Sequence, residues 1–361
     1  MNRTINLLKK AFADLFAPVI AIAVLITLVY YSKEVSSAVR AALVRCLDMV
    51  IPSLFAVMAV SQMLIRSRAS RLAALPFYPV YKYILRLPPR LFTVFLMSSI
   101  GGYPVGIKLI SGLLEQGRID KKTAESLSAF CYCGGPAFYS GTVGLAVFSD
   151  VSIGVLIFLS VLSSNLLTAL IICRSRKLTV RQEVSQEHFT ADTFTDCVAS
   201  AGRALFTVCA MIIFTSALLA VAEALKLFCI IGSLTGLSEN GIVILKSFIE
   251  ITYLTQLSGR PYYLLPVTAA ACSFGGICII IQLISLKSKE LRLRAFMLTR
   301  PVNAALSALI CRLLSPLFLP ESLEVISSNK ILVNFNNFVP SICLILMIFL
   351  LNLKKSLVFS E

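Results

Sequence analysis

From position 151 to position 173 the chain carries no charged side chain, and six more stretches are nearly as apolar: 15–32, 49–65, 126–149, 204–222, 261–286 and 331–353. A helix of about 18 or more such residues fills the hydrocarbon layer of a bilayer. An eighth stretch, 295–319, is interrupted by Arg300 and Arg312 and is the weakest of the set. Only 14% of residues are charged and mean hydropathy is +0.88, whereas a soluble domain is about one quarter charged. A soluble globule, a disordered chain and a secreted disulfide scaffold are all excluded. The expected fold class is an all-α polytopic membrane protein.

Thirty-three Lys and Arg against 18 Asp and Glu leave a net charge of +15. The basic residues lie mainly between apolar runs, where the positive-inside rule puts them. No basic stretch is interleaved with aromatics, so nucleic acid is not an expected partner. The eleven cysteines sit mostly inside apolar runs and read as small apolar residues. A lone His188 makes no metal site. The first run follows Lys9 and Lys10, and its length and exit favour an uncleaved anchor over a signal peptide.

Charge counting orders the spans. Segment 66–90 has six basic residues and no acid, 174–181 has four basic residues, and 287–294 has four against one acid. All three are expected on the cytoplasmic side, and Asp150 on the other. With the N-terminus cytoplasmic, the first run exits and the second returns to Arg66. Segment 91–114 must then leave and re-enter the cytoplasmic face, while 241–261 starts and ends outside. Each contains turn residues in mid-segment, Gly101-Gly102-Tyr103-Pro104-Val105-Gly106 in one and Thr252 to Gly259 in the other. Both read as re-entrant hairpins, which are tolerated only where protein or a water-filled cavity surrounds them.

The halves also repeat. Pro52 to Phe55 matches Arg203 to Phe206 at an offset of 151, Tyr103 matches Tyr253 at 150, and Cys131 to Gly135 matches Cys272 to Gly276 at 141. With hairpins of opposite topology this is an inverted repeat, a pointer to a secondary transporter with a midplane site. The plainer reading is a polytopic bundle whose glycines allow close packing. The expected organisation is an anchor over 1–40, a first repeat over 41–173, a cytoplasmic linker over 174–203, a second repeat over 204–319 and a C-terminal helix over 320–361. That makes about eight spans plus two hairpins and two broken helices, 126–149 and 261–286.

Gly134, Gly135 and Pro136 should unwind the first broken helix and free backbone groups for a polar solute or ion; a kink satisfied by Ser140 or Thr142 is the bland alternative. Cys131-x-Cys133 lacks chelating spacing and a nearby histidine, so no metal is expected. Two charges stand where charges are costly: Lys108, just past the first tip, and Glu250, before the second. Lys108 suits a carboxylate. Glu250 suits a cation, a proton or a heterocycle N–H. The plainer reading is that the two pair with each other, or that Lys108 snorkels to the cytoplasmic face. Arg45 and Asp48 read as a self-neutralising pair, and Arg203, Glu223 and Lys246 as interfacial. There is no H-E-x-x-H, no G-x-S-x-G and no phosphate loop. No enzymatic activity and no cofactor are expected, and transport would run on a gradient.

The stretch Gly102-Tyr103-Pro104-Val105-Gly106-Ile107-Lys108-Leu109, the run Phe130 through Gly134-Gly135-Pro136-Ala137-Phe138 to Gly144, and Ser273-Phe274-Gly275-Gly276 together resemble the sporulation integral membrane proteins of the YlbJ type. That resemblance, from about Ala41 to Arg312, extends to the nucleoside-recognition (Gate) superfamily and, in layout, to concentrative nucleoside transporters. It implies transport of a small heterocyclic solute, dipicolinic acid in the sporulation branch, across the outer forespore membrane. It implies hairpin tips at Gly102–Gly106 and around Glu250, Thr252 and Gln256, and crossover points at Cys133, Gly134, Gly135 and Pro136 and at Ser273, Gly275 and Gly276. Cys278 to Gln282 are less polar than in many relatives, which leaves the ligand open. The competing expectations are a nucleoside or other heterocycle permease coupled to Na+ or H+, and a non-transporting assembly factor. A homo-oligomer is compatible with either.

Overall fold

The computed structural model describes residues 18–67, 69–181, 190–259 and 262–318; the expected helix over 331–353, the start of the anchor and His188 lie outside them. The described residues form helices and connecting loops, with no strand among them. Among the described residues, five helical stretches are long and apolar enough to cross a membrane: Ser32–Arg66, Val151–Ser175, Ala191–Ala224, Tyr262–Leu286 and Arg294–Phe318. Large apolar side chains cover the outside, Leu234 being 80%, Leu317 78% and Phe206 77% exposed. In water such a surface would be a liability; facing lipid it is the expected coat.

Helix α1 (Pro18–Tyr30) leads straight into α2 (Ser32–Arg66). Tyr31 N–H donates to Thr27 O and Val35 N–H to Tyr31 O, both at 3.0 Å. The runs 15–32, described from Pro18 on, and 49–65 are read as two spans of opposite direction; the described residues instead form one helical path with no reversal between them. The reason is local. Positions 31 to 51 contain neither Gly nor Pro, the two strongest helix breakers, so the charges there do not end the helix. At Pro52 the ring excludes the carbonyl four residues back and offers no N–H, and the preceding turn, Cys46–Val50, widens to π geometry.

Helices α3 (Pro89–Gly101), α4 (Tyr103–Glu115), α5 (Lys121–Ser128), α6 (Phe138–Phe148, π-type) and α7 (Val151–Ser175) follow. Then come α8 (Ala191–Ala224), α9 (Leu227–Thr235), α10 (Glu239–Ser247), α11 (Leu265–Phe274), α12 (Ile277–Leu286) and α13 (Arg294–Phe318). Helices α2 and α8 pack antiparallel: Arg45 Nη2 donates to Ser216 Oγ at 3.3 Å, while Phe55 lies 3.9 Å from where a Cβ on Gly202 would stand. Between them Ala42, Cys46, Val208, Ile212 and Cys278 form a small apolar cluster. Helix α13, the weakest run in the sequence, is continuous over 25 residues. A buried polar network holds it to α7, with Asn303 Nδ2 donating to Asn165 Oδ1 at 3.1 Å and Thr168 Oγ1 donating to Asn303 Oδ1. Ser307 Oγ donates to Ala269 O of α11 at 3.1 Å.

The basic segments meet at one end. Arg181 N–H donates to Arg118 O at 2.8 Å, Ser288 N–H to Ser111 Oγ at 3.0 Å, and Lys121 pairs with Glu290 at 3.3 Å. At the other end the Phe148 and Tyr262 rings stand 5.7 Å apart, and Asn240 exchanges hydrogen bonds with Ser258, each at 3.1 Å. Segments 174–181 and 287–294, which charge counting assigns to a common face, thus both meet the stretch 111–121.

Candidate functional site

Two interruptions define the centre. In the first, α5 stops at Ser128 and helix resumes only at Pro136–Ala137; in the second, α11 stops at Phe274 and α12 starts at Ile277. Gly275 and Gly276 hold φ of +84° and +87°, a region L side chains rarely enter, so the second break is written into its glycines. The backbone of Gly102, φ +89°, turns the chain between α3 and α4 in the same way.

Each interruption is met by the bend of a neighbouring segment. Ile277 N–H donates to Phe248 O and Cys278 N–H to Ile249 O, both at 2.9 Å. These carbonyls satisfy the free donors at the start of α12, which a helix cannot satisfy itself. A Cβ on Gly276 would stand 3.1 Å from Ile249 O, and a Cβ on Gly135 would stand 3.0 Å from Ile100 O. The same contact occurs in both halves. Pro136 replaces Ile277 in the first and has no N–H to donate.

The breaks are also fastened to each other. Tyr103 Oη donates to Cys272 O at 2.7 Å and Tyr132 Oη to Phe274 O at 2.9 Å, with the two rings 4.9 Å apart. Gly102, Tyr103, Pro104, Cys133, Gly134, Ser273, Gly275 and Gly276 are all buried around this junction, whereas Pro136 is exposed. Ser273 Oγ is buried without a hydrogen-bond partner among the described residues.

Glu250 is 2% exposed and lies beside Cys278. Its Oε1 accepts Thr252 N–H at 3.3 Å, while Oε2 and the hydroxyl of Thr252 have no partner among the described residues. Thr252 and Gln256 line a cavity of about 540 Å³ with Lys33, Glu34, Arg45 and Tyr253. Arg45 is a residue that its spacing from Asp48 concealed: it turns to Ser216 and the cavity, and its Nε is buried without a partner among the described residues. Glu223 and Lys246 pair at 2.7 Å on the rim.

Lys108 is not brought to either break or to Glu250. It is half-buried in a small cleft at the basic end with Gln62, Arg66, Glu115 and Ser200. The pairing of Lys108 with Glu250, one of the readings of the sequence, does not occur.

Arg300 is the residue sequence reasoning missed. It is fully buried, donates through Nη2 to Ala129 O at the end of α5, and sets its guanidinium 4.7 Å from the Tyr132 ring centroid and 5.0 Å from that of Phe296. In sequence it was only an interruption of a weak run.

An all-helical integral membrane protein is thus what fold and surface define, with interrupted helices at its centre. Its sequence is 30% identical over 110 residues, 30% of the chain, to the sporulation integral membrane protein YlbJ of Bacillus subtilis strain 168. The match spans 27% of that protein's length. No protein-family profile matches the chain, and no solved structure matches it.

Proposed function

We propose that the protein is a secondary transporter in which 91–114 and 241–261 are re-entrant hairpins of an inverted repeat, entering from opposite faces. The observation that carries this reading is the paired contact at the breaks, Ile100 O against Gly135 and Ile249 O against Gly276. A bundle with incidental kinks has no reason to repeat it. Hairpin tips that cap broken helices at mid-depth are the architecture in which a solute site is built and alternately exposed. The basic end is the cytoplasmic one.

The substrate class is a small heterocyclic carboxylate, dipicolinic acid in a sporulating cell, with the outer forespore membrane as its location. The similarity to a sporulation membrane protein supports this choice. Glu250 is the coupling residue. A buried carboxylate oxygen without a partner gains by binding H+ or Na+ and loses by remaining bare. The cavity beside Thr252 and Gln256 is its route to the non-cytoplasmic side.

Uptake of labelled dipicolinate into liposomes, with uridine as competitor, tests the reading. Saturable uptake resistant to uridine supports it, and in Glu250→Gln uptake should lose its response to an ion gradient. Uridine uptake instead would keep the transporter and replace the solute. Uptake of neither by folded protein would favour an assembly role.

A further inference from the structure

Arg300 is the largest fully buried side chain among the described residues. A guanidinium carries five N–H donors and stays charged in proteins. One nitrogen, Nη2, donates to Ala129 O; Nε and Nη1 have no acceptor among the described residues. Of the five N–H groups one is used, and four are left bare among the described residues: one on Nε, two on Nη1 and the second on Nη2. No carboxylate pairs with Arg300 among the described residues. The groups around it are Tyr132, Tyr103, Cys131 and Cys133 from the first interrupted helix and its neighbour, and Phe296 from its own helix.

Burial of an unpaired cation costs several kcal/mol, and a bundle that needed only packing would place an apolar residue here. The cost is recovered if an anion arrives. The position is specific as well. Ala129 O is one of the last carbonyls before the unwound segment, and the Tyr132 ring that faces the guanidinium also fastens the two breaks together through its hydroxyl. The ring of Tyr103 stands 4.9 Å from that of Tyr132, and Phe138 stands 6.2 Å from Tyr103. A planar cation backed by several aromatic faces is suited to a planar oxoanion carried on an aromatic ring.

We infer that Arg300 is the anion anchor of a central site and binds one carboxylate of an aromatic carboxylate ligand against Tyr132 and Tyr103. This rests on the transporter reading and names the residue that selects its substrate class. Arg300 is fully enclosed here, so the ligand enters when the hydroxyl contacts of Tyr103 to Cys272 and Tyr132 to Phe274 part.

Binding is measured on the full-length protein in detergent, with pyridine-2,6-dicarboxylate as probe and its neutral diamide as comparison, for wild type, Arg300→Lys and Arg300→Gln. The wild type should bind the dicarboxylate and discriminate against the diamide, which requires no variant to fold. Arg300→Gln should bind the dicarboxylate about tenfold to a hundredfold more weakly, the loss expected for charge-assisted hydrogen bonds; Arg300→Lys should fall between. Unchanged affinity in folded Arg300→Gln, equal binding of diamide and dicarboxylate, or no carboxylate binding by the wild type would each overturn the inference. Liposome uptake separates the two claims. Arg300-dependent binding without uptake refutes transport and keeps the anchor, while uptake with unchanged binding in Arg300→Gln does the reverse.

Discussion

Replacing Gly106 by alanine should destabilise the protein although alanine is the better helix former. Gly106 lies within α4, and a Cβ there would stand 2.1 Å from Cys131 O and 2.9 Å from Ser98 Cβ. Carbon and oxygen normally approach no closer than about 3.3 Å, so α4 and the interrupted segment must separate by roughly 1.2 Å. Both sides of the principal clash are backbone, which places the cost near the upper end of the overpacking range, about 3 kcal/mol. Alanine's helix preference returns about 1 kcal/mol, leaving a net loss of about 2 kcal/mol. Gly112, on the same helix, has nothing within 4 Å of its added Cβ. Gly112→Ala should therefore stabilise by about 0.5–1 kcal/mol. At roughly 2 °C per kcal/mol for a chain of this size, the two variants should differ in Tm by about 6 °C. The chain has no tryptophan, but Cys131, Cys133 and Cys272 are free and buried. Thermal unfolding in detergent can thus be followed with a thiol-reactive fluorogenic dye. Equal midpoints, or a higher midpoint for Gly106→Ala, would refute the close approach of α4 to the break.

The remaining predictions concern caps, networks and surface pairs. Asp120 caps α5, its Oδ1 accepting Thr123 N–H at 3.1 Å, and hydrogen bonding from Thr123 holds its carboxyl below the usual range. A depressed value adds stability above the unfolded carboxylate value and loses it as pH falls through the folded one. Asp120→Ala should therefore cost about 1 kcal/mol at neutral pH, and that cost should shrink as pH falls until the carboxyl is protonated in folded and unfolded states alike, in chemical unfolding followed from pH 7 downward. Asn303→Ala breaks the network with Asn165 and Thr168 and should cost about 1–2 kcal/mol, the scale of interhelical hydrogen bonds in bilayers; no change in the unfolding midpoint would deny the network a stabilising role. Lys246→Ala removes the pair with Glu223, and since Glu223 is 40% exposed the loss should stay below about 1 kcal/mol and shrink in high salt.

How much was legible in the sequence follows from which terms are local. Gly102, Gly275 and Gly276 announce their bends because positive φ is a property of a residue and its own backbone. Glu250 stands out because an acid in an apolar run is conspicuous wherever the chain goes. The joining of α1 to α2 was hidden by the charges of 33–48, which resemble a loop in composition yet include neither Gly nor Pro. Arg45 was hidden by Asp48, because sequence proximity suggests a pair and cannot tell which way a long side chain turns.

Apolar runs, charge bias and glycine placement determined that this chain is helical, lies in a membrane and is interrupted near its centre, since each depends on neighbouring residues and the surrounding solvent. Only the tertiary structure decided that Ile100 and Ile249 present their carbonyls to matching glycines, that Lys108 stays at the basic end, and that Arg300 is sealed against Tyr132. Those contacts join residues more than twenty-five positions apart, and whether a polar group there finds a partner depends on how separate helices pack.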